Sequence, residues 1–522
     1  GDAAPAPPWW VAYGPGDDAP ATDAEAARFL IQATFGANAP EIAGLRYAGY
    51  AAWFDHQRAL PASLELPYLQ KLDADGKDVY QNQRQEIWWH RAVKAPDQLR
   101  QRLAFALSEL FVVSDNSGNL ADEPFGLASY YDVLATHALG NYRELLEAVT
   151  LHPAMGRYLS MLKNEKPNPA QNLRPDENYA REVMQLFTIG LVELAPDGTP
   201  LVDGFGDPLP TYDQTDVEEL ARVLTGWNYA GATSWKWPQS NWKPMEPWES
   251  YHDQDAKTIV GGAFVPAGQG AVADLEQALD VLFQHPNTGP FVATRLIQRL
   301  VTSNPTPGYV ARVAAVFADD GTGERGDLFE VARAILEDAE AREGHLSMPS
   351  TFGKLKEPLL RQSALWRAFR AAPAVGPYED WNPQSAFGQA ALRAPSVFNF
   401  FQPSYSPPGA LGDAGLLGPE FQITTHTFVT ATTNRLYDRI FFAWPGYSGL
   451  DPDTIALDLA PALALAEDPD ALVDLVALLL TGGELAPDSR ALIVAHAADT
   501  ALDAGNKPDG VQRVLEVLYL VS

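Results

Sequence analysis

RPDENYAREVMQLFTIGL, residues 174–191, reads as a helix with two contrasting stripes. Pro175 suits a first helical position, and Asp176 and Glu177 place negative charge in the first turn, where the helix dipole favours it. Tyr179, Val183, Leu186 and Phe187 recur at three- and four-residue spacing and form an apolar stripe. By the same spacing Asn178, Arg181, Glu182 and Gln185 share a polar stripe. Gly190 supplies the stop. The apolar stripe demands other helices to pack against. The polar one has two readings: a helix–helix salt-bridge network, or a reactive site.

Outward from this stretch the same periodicity continues. Helices fit 38–48, 50–58, 80–94, 96–113, 126–138 and 141–150, after a first helix capped by Asp23. Helical patterns return from 272 to 340, over 354–371 and 421–438, and again between 453 and 521. Asp197-Gly198 sits between short alternating runs and signals a β-hairpin. Asp216 is placed to cap a helix that ends at Gly226. The fold class is therefore mainly α: a large multi-helix domain over 23–522 behind an arm at 1–22. Its excursions are the hairpin and a Trp-rich loop. Residues 23–226 and 265–522 form two candidate halves of this domain, with the aromatic loop 227–264 between them.

Charge narrows the function classes. Sixty-seven acids face 37 bases across 522 residues, a formal net charge of -30, which repels nucleic acid and anionic membrane surfaces. Cys is absent, so no disulfide framework and no thiolate metal site exists. No apolar run approaches the roughly 20 residues a membrane span needs. Residues 1–20 are rich in Pro, Ala and Gly and resemble the segment that follows a cleaved export signal. The chain has no GxSxG, HExxH, CxxC or Walker A pattern. GTGERG at 321–326 follows a helix rather than a strand, and GKLK at 353–356 lacks the rest of a phosphate loop, so neither is read as a nucleotide site.

The window 227–264 is unusual. It holds Trp227, Trp235, Trp237, Trp242 and Trp248 with Tyr229 and Tyr251, without the periodicity of a core-facing element. One reading is a loop pinned by its own rings. The other is an aromatic platform that stacks on sugar rings and lines the main cleft. His252, Asp253 and Lys257 follow in an H-D-x-x-x-K pattern, and the His–Asp neighbours suit acid–base work or metal binding. Elsewhere, Arg100, Arg102 and Glu109 share a helix with Leu99, Leu103, Leu107 and Leu110, the pattern of buried ion pairing. Glu86 and His90 are four apart, spaced to share a metal, with a satisfied helix-end histidine as the plainer reading. His137 and His152 read as core histidines bonded to backbone, with catalysis as the alternative.

DENYAREVMQLFTIGL resembles the signature helix of the bacterial DUF1800 family. AARFLIQATFGANAPEIAGLRYAGYAAWFDHQ, RQRLAFALSELFVVSD, YYDVLATHALGNYRELLEAVTLHPAMGRYL, ELARVLTGWNY, RLIQRLVTSNPTPGYVARVAAVF and APSVFNFFQPSYSPPG are similar to further family blocks, in order. The resemblance implies export to the periplasm or beyond, and a sulfatase-like DUF1501 partner. It implies no reaction.

Two function classes stand. The first is an exported carbohydrate-active enzyme cleaving a polysaccharide or other polar polymer by carboxylate acid–base catalysis. Its candidate catalytic residues are Glu182, Glu177 and Asp253. Its candidate substrate-binding residues are Arg181, Asn178, Gln185, Trp227, Tyr229, Trp235, Trp237, His252 and Lys257. Glycoside cleavage needs two carboxyls roughly 5–10 Å apart. Glu177 and Glu182 diverge on one helix, so Glu182 needs a partner from elsewhere, with Asp253 or Asp213 as candidates. The second class is a non-catalytic exported binding or assembly protein. The sequence assigns no metal ligands and no cofactor.

Overall fold

The computed structural model describes residues 8–236, 240–507 and 509–522. It is 53% helical, with two small two-stranded sheets among the described residues, and so mainly α. One continuous apolar core runs from Ala26 to Val521. The first helix, Asp23–Ala33, packs on Pro469–Thr481 near the far end of the chain, and Gln81–Lys94 packs on Pro358–Ala368. Elements from both candidate halves thus share that core. No helix among the described residues is long and apolar enough to cross a membrane.

Local chemistry explains most boundaries. The expected pair of helices at 38–48 and 50–58 forms, with Gly49 at φ 85° making the break between them. The first cap is Thr22 rather than Asp23: its side chain accepts from Glu25 N at 3.2 Å. Asp213, not Asp216, caps Gln214–Val223, and Asp216 answers from the third position in a reciprocal capping box. That duty also occupies the Asp213 carboxylate.

The stretch 174–191 departs from a plain α-helix. Its helix begins at Asn178, three residues after Pro175, and is α only over Asn178–Glu182. Val183–Thr188 is a π-helix, which changes the angular spacing of everything beyond Val183. The Thr188 hydroxyl donates to Val183 O at 2.6 Å, and Tyr142 OH donates to Phe187 O at 2.5 Å. One buried bond within the turn and one tertiary bond thus hold the wider turn. Gly190, at φ 71°, ends it as expected.

The Asp197-Gly198 turn forms a narrow arm over 191–211. Isolated bridges join Leu194 to Pro200 and Val202 to Pro208 in place of regular strands. The proline positions donate no N–H, which keeps the ladder broken. The regular strand pairs lie instead in the aromatic region, where a loop was expected. Trp227–Asn228 pairs with Glu246–Pro247, and Lys257–Ile259 with Ala263–Val265.

Candidate functional site

The structure does not gather the sequence candidates into one cleft. Glu177 pairs with Arg181 across one turn at 3.0 Å, and Gln214 bonds the same carboxylate at 2.9 Å. Asn178 is exposed beside them. Glu182 is buried, and its Oε2 has no hydrogen-bond partner among the described residues. Burial pushes its carboxyl above the usual range, with Arg181 opposing. The π-turn takes Gln185 off this face: it lines a separate cavity with Leu186.

The H-D-x-x-x-K residues form a closed cluster. His252 is fully buried, with Nδ1 3.0 Å from Thr225 O and Nε2 3.2 Å from Asp274. Lys257 Nζ donates to Asp274 at 2.7 Å and to two backbone carbonyls. Asp253 takes Arg222 at 2.7 Å. Burial pushes the Asp253 carboxyl up, but Arg222, a backbone N–H and Lys257 outweigh it and hold it low.

Among the rings, Trp227 and Tyr229 are buried. Trp235 stacks on Tyr251 at 3.9 Å between centroids, and its indole N–H donates to Glu165 at 2.8 Å. Trp242 is exposed against Phe125, and Trp237 lies outside the described residues. Among the described residues, five cavities have linings that include none of Trp227, Tyr229, Trp235, Trp242, Glu182 and His252.

A different cluster has the unsettled chemistry. Glu109, at the end of Gln98–Ser108, is 4% exposed and reaches a cavity of about 90 Å³. Four of the blocks quoted above supply walls of that cavity: Glu109 from the second helix-rich block, Gln185 from the signature stretch, Arg295 with Arg299 from another, and Asn399 from the loop block. Asn399 sits at φ 66°, and its side-chain amide donates to Glu109 Oε1 at 3.4 Å.

Behind Glu109 lies a second buried acid, Glu357. Gln389 Nε2 bridges them, at 2.6 Å from Glu357 and 3.3 Å from Glu109, and the two carboxyls are within hydrogen-bonding reach. Cations surround the pair. Arg299 Nε is 3.5 Å from Glu109 Oε2, and Lys354 Nζ is 3.4 Å from Glu357 and 3.1 Å from Glu420. Arg102 donates to Arg299 O at 2.7 Å, while its Nε and Nη1 have no partner among the described residues.

Burial raises the Glu109 carboxyl to about 8, with Glu357 adding to the rise against Arg299. For Glu357, burial also raises, but Lys354, Arg299 and Arg102 outweigh it, and this carboxyl is held below the usual range. The two acids titrate as a coupled pair, with burial and the neighbouring charge pushing Glu109 up and the cations holding Glu357 down. Two titratable neighbours pushed in opposite directions are the recurrent arrangement of an acid–base pair. The sequence exposed Glu109 and Arg102 as buried charges. It had no signal for Glu357 or Gln389, whose distance from Glu109 along the chain erases any periodic relation.

Two other clusters are settled. Glu86 accepts from Trp381 at 2.7 Å and Tyr68 at 3.1 Å, so it is fully engaged beside His90. Carboxylate oxygens of Asp320, Glu324 and Asp327 lie within 4.8 Å of one another on a turn. There Asp320 accepts from the Thr322 and Glu324 backbone, and Asp327 caps Leu328–Glu337.

No curated protein and no solved structure matches this chain. A family model described as "Protein of unknown function (DUF1800)" matches residues 28–520, nearly the whole length, and the chain belongs to that family.

Proposed function

We propose that the protein is an acid–base enzyme centred on Glu109. The observation that carries this is the Glu109–Glu357 pair: two buried carboxyls bridged by one amide nitrogen, with cations around them and one of them open to a cavity. Glu109 enters the reaction protonated and donates to the carbonyl oxygen of an acyl group held near Arg295 and Arg299 as water adds to the carbonyl carbon. A proton of that water goes to the leaving group as the acyl bond breaks, and Glu109 regains its proton when the carbonyl re-forms. The charge left on Glu109 is met by Arg299, which already faces its Oε2. Glu357 stays ionised and keeps the proton on Glu109 between turnovers. A cavity of about 90 Å³ admits one group or a chain end.

One amide nitrogen, Gln389 Nε2, bonds both carboxyls and occupies the space where glycoside cleavage would place the scissile bond between two acids. The pair corresponds to a coupled dyad of the kind that hydrolyses acyl bonds. A polysaccharide substrate therefore fits best through an ester or amide substituent on its end. The test is a panel of chromogenic esters, amides and glycosides on wild type and Glu109→Gln. The expected result is turnover of an acyl substrate, lost in the variant while the circular dichroism spectrum is unchanged. Equal turnover by folded Glu109→Gln overturns the assignment.

One observation favours the second class, an exported assembly protein that docks a partner such as a DUF1501 protein. Phe205, at the end of the 191–211 arm, is 95% exposed, and Leu191 and Val202 on the same arm are also exposed. Phe205→Ser should leave the melting temperature unchanged and remove co-purification with such a partner.

A further inference from the structure

A second cavity, of about 190 Å³, has Arg102 in its wall. Its walls come from Asp23–Ala33, Pro358–Ala368 and the end of Pro469–Thr481, joined by the 352–356 segment that carries GKLK. The chain as a whole has almost two acids for every base. This cavity reverses that balance: Arg28, Arg102, His345, Lys354 and Lys356 line it, with Glu484 as the single acid.

The acids nearby account for three of these five cations. Glu484 is taken by Arg28, with Nε at 2.6 Å, and lies 3.5 Å from His345. Glu357 and Glu420 reach Lys354. Arg102 and Lys356 form no ion pair among the described residues. Lys356 has only the Leu480 carbonyl, at 2.8 Å. Arg102 is 2% exposed and lines the cavity with Nε and Nη1 unpartnered, a costly state for a buried guanidinium. The His345 Nδ1 is likewise without a partner among the described residues.

We propose that this cavity is a binding site for a small organic carboxylate, with its anionic head on Arg102 and Lys356. Guanidinium and ammonium donors give charge-assisted hydrogen bonds to carboxylate oxygens, which is the pairing these two residues lack. The remainder of the lining selects an organic body over a bare inorganic anion. Phe35, Leu300, Phe352 and Leu360 supply apolar wall, and such surface gains from covering an alkyl or aryl group. Gly353, at φ 120°, has open space where a side chain would project, so the backbone leaves room beside Lys354. GKLK thus contributes two cations and a bare backbone position to an anion site of a kind unlike a phosphate loop.

The site is independent of the Glu109 reading, because its test needs no turnover. Isothermal titration calorimetry on the full chain with benzoate, hexanoate, acetate and inorganic phosphate separates the possibilities. Benzoate or hexanoate should bind and raise the melting temperature, with acetate and phosphate about tenfold or more weaker. Lys356→Gln should weaken the organic acids about tenfold with the fold intact, and Arg102→Met should abolish their binding. If Arg102→Met does not fold, Lys356→Gln decides. Absence of organic-acid binding at millimolar concentration overturns the proposal. So does phosphate binding as tightly as benzoate, or unchanged affinity in folded Lys356→Gln.

Discussion

Two buried polar clusters in this molecule look alike by composition and differ in closure. Around His252, Asp274 joins a histidine and a lysine, Asp253 holds Arg222, and every one of these charges has its counterpart. Around Glu109, two acids share one amide donor, Glu109 Oε2 has only the 3.5 Å contact with Arg299, and Arg102 keeps two nitrogens unmet among the described residues. The first cluster lines none of the five cavities, while the second supplies walls to two. Chemistry-bearing residue types therefore do not distinguish a brace from a site. Unmet polar atoms beside enclosed space do.

The comparison breaks most visibly at Lys257. Lys257→Met leaves Asp274 buried with only His252 and Gln269 as partners, and removes the bonds to the Asp253 and Asp255 carbonyls. Loss of about 3–5 kcal/mol is expected, as when one member of a buried pair is deleted. Urea unfolding measures it. A loss below about 1 kcal/mol would show that this cluster is not the brace its geometry describes.

A smaller effect, and one with a sign, is expected at Glu109. The folded chain holds its carboxyl near 8, against 4.5 ordinarily. A raised carboxyl means that the folded state keeps a proton the unfolded chain has lost. The stability this contributes is complete below about pH 4.5 and disappears as pH climbs toward 8. Asp132, raised to about 7 by its burial, and buried Glu65 act in the same direction. The melting temperature should fall from pH 5 to pH 8, and Glu109→Gln should make that fall shallower without abolishing it. An identical slope in the variant would place the raised carboxyl elsewhere. Infrared spectroscopy at pH 7 provides a direct check, because a protonated carboxyl band should vanish in Glu109→Gln.

How far the sequence reaches can be judged from the same residues. Periodicity located the helices, down to the Gly49 break, because apolar spacing records which face is buried. It also marked Arg102 and Glu109 as buried charges, since both sit among leucines on one helix. It could not reveal their partners, because Arg299, Lys354, Glu357 and Gln389 arrive through tertiary packing. Register failed in one instructive place. Glu182 and Gln185 share a stripe in an α-helix, but the π-turn at Val183–Thr188 parts them, and that turn is held by bonds to Tyr142 and within the backbone that no local propensity encodes. The aromatic window shows a related limit. Ring density gives no direction: Trp235 lies flat on Tyr251, Trp227 is interior and Trp242 is exposed.

The smallest expected effect, Glu182→Gln, sharpens the comparison because Glu182 belongs to neither cluster. It is buried without an ion pair, since Arg181 turns to Glu177, and Tyr158 and Tyr212 are the titratable groups whose environment it perturbs. A brace would lose stability on neutralisation, as Lys257 should. Glu182 should not, because its carboxyl is raised by burial and the uncharged form is the one its surroundings favour. Below the ordinary carboxylate range the variant and wild type should melt together. At pH 8, where the wild-type charge is bare in a desolvated position, the glutamine variant should be equal or more stable, by no more than about 1 kcal/mol. A loss of several kcal/mol at pH 8 would mean that Glu182 has a charged partner and belongs with the His252 type of cluster. If the variant is stable and turnover of the acyl substrate nevertheless disappears, catalysis moves from Glu109 to the signature helix. Unchanged turnover leaves Glu109 as the proton donor and Glu182 as a buried acid outside the chemistry.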